Sequence, residues 1–181
     1  RNYLDTNHKP EMLCALGPFA CLAGFRSVRH VAAELKKLHP GTIAEHVEAF
    51  IQSQNLGALR RLFESIMSMG IERKRMFVEE VLGKAATARC ERYKWIVELN
   101  RQYPGDIGVV SPLFLNLLQL RSGQAVYLAP GIVHAYLGGF GIELMANSDN
   151  VVRGGLSDRH VDIPEFIRIL RYDENPVEPT N

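Results

Sequence analysis

The sequence predicts an α+β fold in which an all-helical block interrupts a β-region. Apolar residues recur with the helical period from Val28 to about Asn100. On either side that period is lost, and short apolar runs stand between Gly- and Pro-containing turns, as in strands. At 181 residues and 46% hydrophobic content, the chain can bury a core sufficient for one domain or two small ones.

The opening segment is rich in turn formers and continues with Met12-Leu13-Cys14-Ala15-Leu16. Phe19, Cys21, Leu22 and Phe25 follow at irregular spacing, so residues 1–26 read as part of a β-region. Val28, Val31, Ala32, Leu35 and Leu38 then share one helical face, and His39-Pro40-Gly41 ends the run. Ile43, Val47, Phe50 and Ile51 repeat the pattern, as do Leu56, Leu59, Leu62, Phe63, Ile66 and Met67. A further helical stretch is expected over 71–100, with Gly83 as its break. The turn Tyr103-Pro104-Gly105-Asp106 ends helical character, and strands are expected around 118–120, 125–128 and 142–145. The chain therefore divides into 1–26, 27–104, 105–172 and a tail over 173–181. Pairing between the two β-regions, across the insert, is expected to bring Glu11 close to His134.

Composition limits the partners. Twenty-one basic and 20 acidic residues leave a net charge of +1, so bulk charge gives no reason to expect a nucleic-acid or membrane partner. A small molecule is the expected ligand. Cys14, Cys21 and Cys90 are odd in number and lack C-x-x-C spacing, which argues against a disulfide framework and a cysteine-rich zinc site. Reduced thiols and a cytoplasmic home are expected. No run of about 18 apolar residues and no charged-then-apolar leader occurs, so neither a spanning helix nor a signal peptide is expected.

Three clusters hold groups suited to metal-assisted chemistry on a sugar. The first is Asp5-Thr6-Asn7-His8-Lys9-Pro10-Glu11-Met12, where a carboxylate follows a lysine and a φ-restricted proline. The second is Gly131-Ile132-Val133-His134-Ala135-Tyr136, an imidazole in a turn leading into a strand. The third, Met145 to Arg153, carries Asp149 four residues before Arg153. A carboxylate and a neutral imidazole suit zinc. Arg153 and Lys9 suit phosphate or a developing enediolate, the first as a planar fork and the second as a compact charge. Glu143 and Asp149 are the candidate proton-transfer groups. Glu143 shares a strand face with Met145, where apolar neighbours would raise its pKa, and Asp149 has the spacing of an ion-pair partner for Arg153. Each has a plainer reading: Glu11 as a surface residue in a turn, His134 as a hydrogen-bonded strand residue, and Lys9 and Arg153 as solvated cations. His8, His30, His39, His46 and His160 read as structural or exposed, His8 being the one that could stand behind the site.

Asn7-His8-Lys9-Pro10-Glu11-Met12 and the run from Ala129 to Leu156, APGIVHAYLGGFGIELMANSDNVVRGGL, closely resemble the type I mannose-6-phosphate isomerase family. The resemblance reaches residues 1–26 and 105–165 through motifs, and the helical segment through position and character. It implies a zinc-dependent cupin-type β-sandwich with an inserted all-helical domain, acting in carbohydrate metabolism. In that family one zinc is held by a Gln-x-His pair, by the Glu of NHKPEM and by the His of PGxxHAY. The last two correspond to Glu11 and His134, whereas the Gln-x-His pair lies upstream in the family and is not in this sequence. With Arg1 rather than Met at its start, the chain is read as an internal fragment, and the family continues past the Pro-rich tail at 174–179. The resemblance makes Arg153 the catalytic arginine and puts Lys9 and Tyr136 in the substrate pocket. Arg159 stands in Gly-Leu-Ser-Asp-Arg where the family commonly has Gly-Leu-Thr-Pro-Lys, which makes it a departure from the phosphate-contacting lysine.

The activity so implied is interconversion of mannose 6-phosphate and fructose 6-phosphate through a cis-enediol, by a monomer binding a small sugar phosphate. Two alternatives come from other classes. A cupin-type binding or regulatory protein would hold the sugar phosphate without turnover. A structural helical module, with residues 28–100 as its partner surface, would bind neither metal nor sugar.

Overall fold

The computed structural model describes residues 5, 7–174 and 177–181. Residues 1–4 and Thr6 of the first region, and residues 175–176 of the tail, lie outside the described residues. Strand β1 (Glu11–Phe25) is followed by helices α1 (Val28–Leu38), α2 (Ala44–Ser53), α3 (Leu56–Ser68), α4 (Ile71–Ala85), α5 (Glu91–Gln102) and the single turn α6 (Ser111–Phe114). Then come β2 (Leu115–Leu120), β3 (Ala125–Leu128), β4 (His134–Met145) and α7 (Ile163–Ile169). The architecture is α+β: a helical block beside one antiparallel sheet.

The helices follow their punctuation. Ser27 caps α1 by accepting from the His30 N–H, and Asn55 caps α3 by accepting from the Ala58 N–H; each such cap contributes about 1 kcal/mol. His39 (φ 46°) and Gln54 (φ 38°) end α1 and α2 in the left-handed conformation. Gly83 does not break the 71–100 stretch. It lies inside α4, and the helices part at Thr87-Ala88-Arg89-Cys90, because one isolated glycine lowers helix propensity without removing a hydrogen bond. Helical character also outlasts the Tyr103–Asp106 turn, through a 3₁₀ turn at Ile107–Val110 and α6.

The helical block leaves and re-enters the sheet at adjacent points. Phe25, at the end of β1, pairs with Leu115, at the start of β2. The Asn116 side-chain amide donates to the carbonyls of Ala23, Gly24 and Phe25, and buried Arg26 donates from Nη1 to the Leu113 carbonyl at 2.9 Å. An insert whose ends are neighbours leaves the strand pairing intact. The block packs against the sheet: Leu22, Phe25 and Leu115 belong to the same buried cluster as Leu35, Phe50, Leu62, Phe77 and Ile96.

The sheet is bent back on itself. On one edge of β1, residues 11–14 pair with β3 and residues 19–25 with β2; along the other edge runs β4. At the corner β1 spends Leu16, Gly17 and Pro18 against Phe140 alone, since Ala15 pairs with Gly141 and Phe19 with Gly139. Pro18 has no N–H to offer the ladder, and Gly139 (φ 134°) permits the approach of β1: a Cβ there would stand 2.6 Å from Phe19 Cα. Leu13, Ala15, Phe19, Cys21, Leu120 and Val126 form a second buried cluster within this corner.

Candidate active site

Glu11 and His134 stand at opposite ends of the β1–β4 pair, where Glu11 pairs with Met145 and His134 with Ala23. On a flat sheet, at 3.3 Å per residue, they would lie roughly 40 Å apart. Because the sheet folds over, His134 Nε2 comes to 3.0 Å from Glu11 Oε2. The meeting expected from the sequence occurs, but the corner produces it rather than direct pairing. The same bend lets Tyr136 donate its hydroxyl to Glu143 at 2.6 Å, although both lie on β4. Residues paired across strands share a face, so Glu143 (opposite Leu13), Tyr136 (opposite Cys21) and His134 (opposite Ala23) all follow the inward-facing side of β1.

The Glu11 carboxylate is held from two sides, by His134 on Oε2 and by Lys9 Nζ, 3.4 Å from Oε1. The hydrogen bond from His134 lowers its pKa; burial opposes this, and the charges of His134 and Lys9 reinforce it, for a net downward shift. For His134, burial pulls the pKa down, but the hydrogen bonds to Glu11 and to the Ile132 carbonyl and the charges of Glu11 and Glu143 outweigh it and raise the value. Burial and the bond to Glu143 push the Tyr136 phenol far above its usual range.

His134 Nδ1 lies 2.9 Å from the Ile132 carbonyl oxygen, so both ring nitrogens face acceptors. A neutral imidazole carries one N–H. The second position must therefore hold a proton or a cation. With Nδ1–H given to Ile132, the Nε2 lone pair faces Glu11 Oε2 at close to the separation, about 3.3 Å, of two ligands on a tetrahedral ion with bonds of about 2.0 Å. The two donors fit zinc. Among the described residues no group of three or more His, Cys, Asp or Glu side chains is placed to hold a metal.

These groups open onto a cavity of about 870 Å³, lined by His8, Lys9, Glu11, His134, Tyr136 and Arg153 among others. That volume suits a small organic ligand. Arg153 makes no ion pair among the described residues, and Asp149 is exposed and away from the lining, so the pairing raised by their spacing is not formed. Glu143 is exposed, outside the lining and bound to Tyr136, which corrects the expectation of an apolar setting around its carboxyl. Arg159 is exposed and outside the lining.

The sequence reading did not single out three features. Asp5 accepts from Ser148 Oγ at 3.0 Å and Asn150 Nδ2 at 2.9 Å, tying the first cluster to the third. Asp106 accepts from two backbone N–H groups, one of them on Leu156. Arg168, on α7, lines the cavity while paired with Glu165 through Nε at 2.6 Å. The start of α7 was legible, since Asp162 is an N-cap followed by Pro164 and Glu165 in the first turn. Asp106 caps the 3₁₀ turn locally at Gly108, but no local pattern marks its bond to Leu156.

Residues 31–115 match the family model of the phosphomannose isomerase type I helical insertion domain. Mannose-6-phosphate isomerase of Salmonella typhimurium is 36% identical over 97% of this chain and 44% of its own length. The Homo sapiens mannose-6-phosphate isomerase is 35% identical over 95% of this chain and 44% of its own. A crystal structure of zinc-bound mannose 6-phosphate isomerase superimposes with a TM-score of 0.88 at 36% identity, covering 97% of this chain and 44% of that one. The chain thus spans less than half the length of the curated relatives it matches. Its middle thus matches their helical insertion domain, and nearly all of its length is similar in sequence and fold to the type I phosphomannose isomerases.

Proposed function

We propose that this chain supplies part of the active site of a metal-dependent aldose–ketose isomerase, interconverting mannose 6-phosphate and fructose 6-phosphate through a cis-enediol. The observation that carries the reading is the Glu11–His134 pair, closed at 3.0 Å over a cavity that Lys9 and Arg153 also line. The names of the relatives and the zinc in a structure of similar fold support it. Glu11 and His134 would hold one Zn²⁺ per site. Catalytic zinc sites commonly use three protein ligands, so further donors would come from residues outside those described. When bound, the metal would supply a Lewis acid that polarises the sugar's carbonyl and hydroxyl oxygens.

The chain's own residues do the rest. Arg153 offers a forked donor to the phosphate or to the developing enediolate oxygen, and Lys9 a compact charge beside Glu11. Glu143 is the carboxylate we assign to proton movement between carbons 1 and 2, in preference to Asp149, because it is held by the hydroxyl of Tyr136, which lines the cavity although Glu143 itself does not. Tyr136 lines the sugar pocket, and Arg159 stands too far out for a first assignment. We read the bent antiparallel strands as part of a cupin-type sandwich. Residues 1–26 and 105–172 are its two contributions, 27–104 its helical insert, onto which residues 105–114 pack as a continuation of the helical block, and 173–181 a linker. A monomer in the cytoplasm without nucleic-acid or membrane partners suits the near-neutral charge and the free thiols of Cys14, Cys21 and Cys90.

Elemental analysis and an isomerase assay on the complete polypeptide, with Glu11→Gln and His134→Ala variants, test the reading. Expected are stoichiometric zinc and activity in the parent, with the variants losing metal affinity and about 100-fold or more in kcat/KM. A metal-free parent, or variants that remain fully active, would reject the site.

A further inference from the structure

The segment that carries Arg153 has neither helix nor strand between the end of β4 and the start of α7, so side-chain clasps set its course. Asp5 holds it before the arginine, through Ser148 and Asn150. Asp106 holds it after the arginine, from the far end of the helical block. Asp106 Oδ1 accepts from the Gly108 N–H at 2.6 Å and from the Leu156 N–H at 3.0 Å.

The stretch next to Arg153 is shaped to that carboxylate. Leu156 holds φ 52°, a left-handed conformation that is disfavoured for a residue with a side chain. A Cβ on Gly155 would stand 2.6 Å from Asp106 Oδ1, and a Cβ on Gly154 would enter the Phe166 ring of α7. The Arg153 carbonyl itself accepts from the Asp162 N–H at 3.2 Å. The arginine therefore precedes a Gly-Gly-Leu stretch pinned between the helical block and α7.

We propose that Asp106 is a positioning residue: by holding the Leu156 N–H it fixes the backbone after Arg153 and so aims that guanidinium into the cavity. The helical block thereby helps set the site through one carboxylate, besides packing against the sheet. This rests on the isomerase reading, in which Arg153 meets the anionic oxygens of the substrate. Asp106 makes no ion pair among the described residues, and its task is to accept two N–H bonds, which an amide oxygen also does.

The test uses the complete, metal-loaded polypeptide with Asp106→Ala, Asp106→Asn, Arg153→Ala and the double variant Asp106→Ala/Arg153→Ala. A small misplacement of a positioned group costs up to about 100-fold in rate, so Asp106→Ala is expected to lose about 10- to 100-fold in kcat/KM, with its metal content kept. Asp106→Asn should recover most of that loss. In the Arg153→Ala background, removing Asp106 should cost no more than about 2-fold, since two residues acting through one another are not additive. Hydrogen exchange gives a readout free of catalysis: the Leu156 amide should exchange faster in Asp106→Ala and stay protected in Asp106→Asn. An inactive parent protein would overturn the isomerase reading. An active parent with additive losses, an inactive Asp106→Asn, or an unchanged Leu156 amide would overturn the clasp alone.

Discussion

Glu11 and His134 hold each other in charged forms, which makes their pH dependence readable. Glu11 is depressed below its unfolded value near 4.5, so the stability it contributes is present above that value and is lost as pH falls through its lower folded pKa. His134 is raised above its unfolded value near 6.5, so its contribution is present below that value and is lost as pH rises through its higher folded pKa. Both are in force between about 4.5 and 6.5. The metal-free complete protein is therefore expected to gain most from this pair within that window, and His134→Gln should flatten the fall on its alkaline side. Zinc must displace the imidazole proton, so the stability that zinc adds over the metal-free protein should instead grow as pH rises toward the raised folded pKa of His134 and then level off. Thermal melts with and without chelator, across pH 4 to 8.5, measure both trends.

Residue chemistry was legible in the chain to the extent that it is local. Glu11 after Pro10 and His134 after Gly131 announce a carboxylate and an imidazole in constrained turns. Gly131 (φ 83°) is needed there, since a Cβ would stand 2.7 Å from the Ile169 carbonyl oxygen. What the string of residues does not carry is the bond from the Tyr136 hydroxyl to Glu143, or from the Asp106 carboxylate to Leu156. Each depends on a bend or a crossing that no neighbouring residue encodes.

The decisive elements are the long strands β1 and β4, and their corner is the weak point to probe. Gly139→Ala places a Cβ against Phe19 Cα in a conformation closed to side chains. It should cost about 2–4 kcal/mol, read as a shift in denaturant midpoint, and zinc affinity should fall with it, because the corner is what joins Glu11 to His134. Gly83→Ala is the contrasting change. A Cβ there meets nothing within 4 Å inside α4, so it should stabilise by about 0.5–1 kcal/mol. The difference explains what the helical stretch concealed: glycine marks a bend where backbones meet, and not where a helix passes through open space.

At the scale of the molecule, the helical block and the sheet share one apolar core, which Phe25 enters from the end of β1. Its ring stacks on Tyr172 at 4.8 Å and meets Phe63 of α3 edge-on at 5.1 Å. Phe25→Ala should cost about 3–5 kcal/mol. Because the core is continuous, the loss should appear as one earlier transition, with helical and aromatic circular dichroism melting together. Separate transitions would mean that the block folds apart from the sheet.

The sequence by itself determined the amphipathic helices α1 to α3, the helical stretch that divides into α4 and α5, the strand at Ala125–Leu128, and the kinds of group that line the cavity. Those features arise between residues a few positions apart, where helical period, capping and turn chemistry act. Only the tertiary structure decided that β1 and β4 fold over at Pro18 and Gly139, that Glu11 thereby meets His134, and that the helical block reaches across to the segment after Arg153. A strand's alternation records which face a residue takes but not how far the sheet bends. The bend is set by pairing and packing between segments separated by the whole insert.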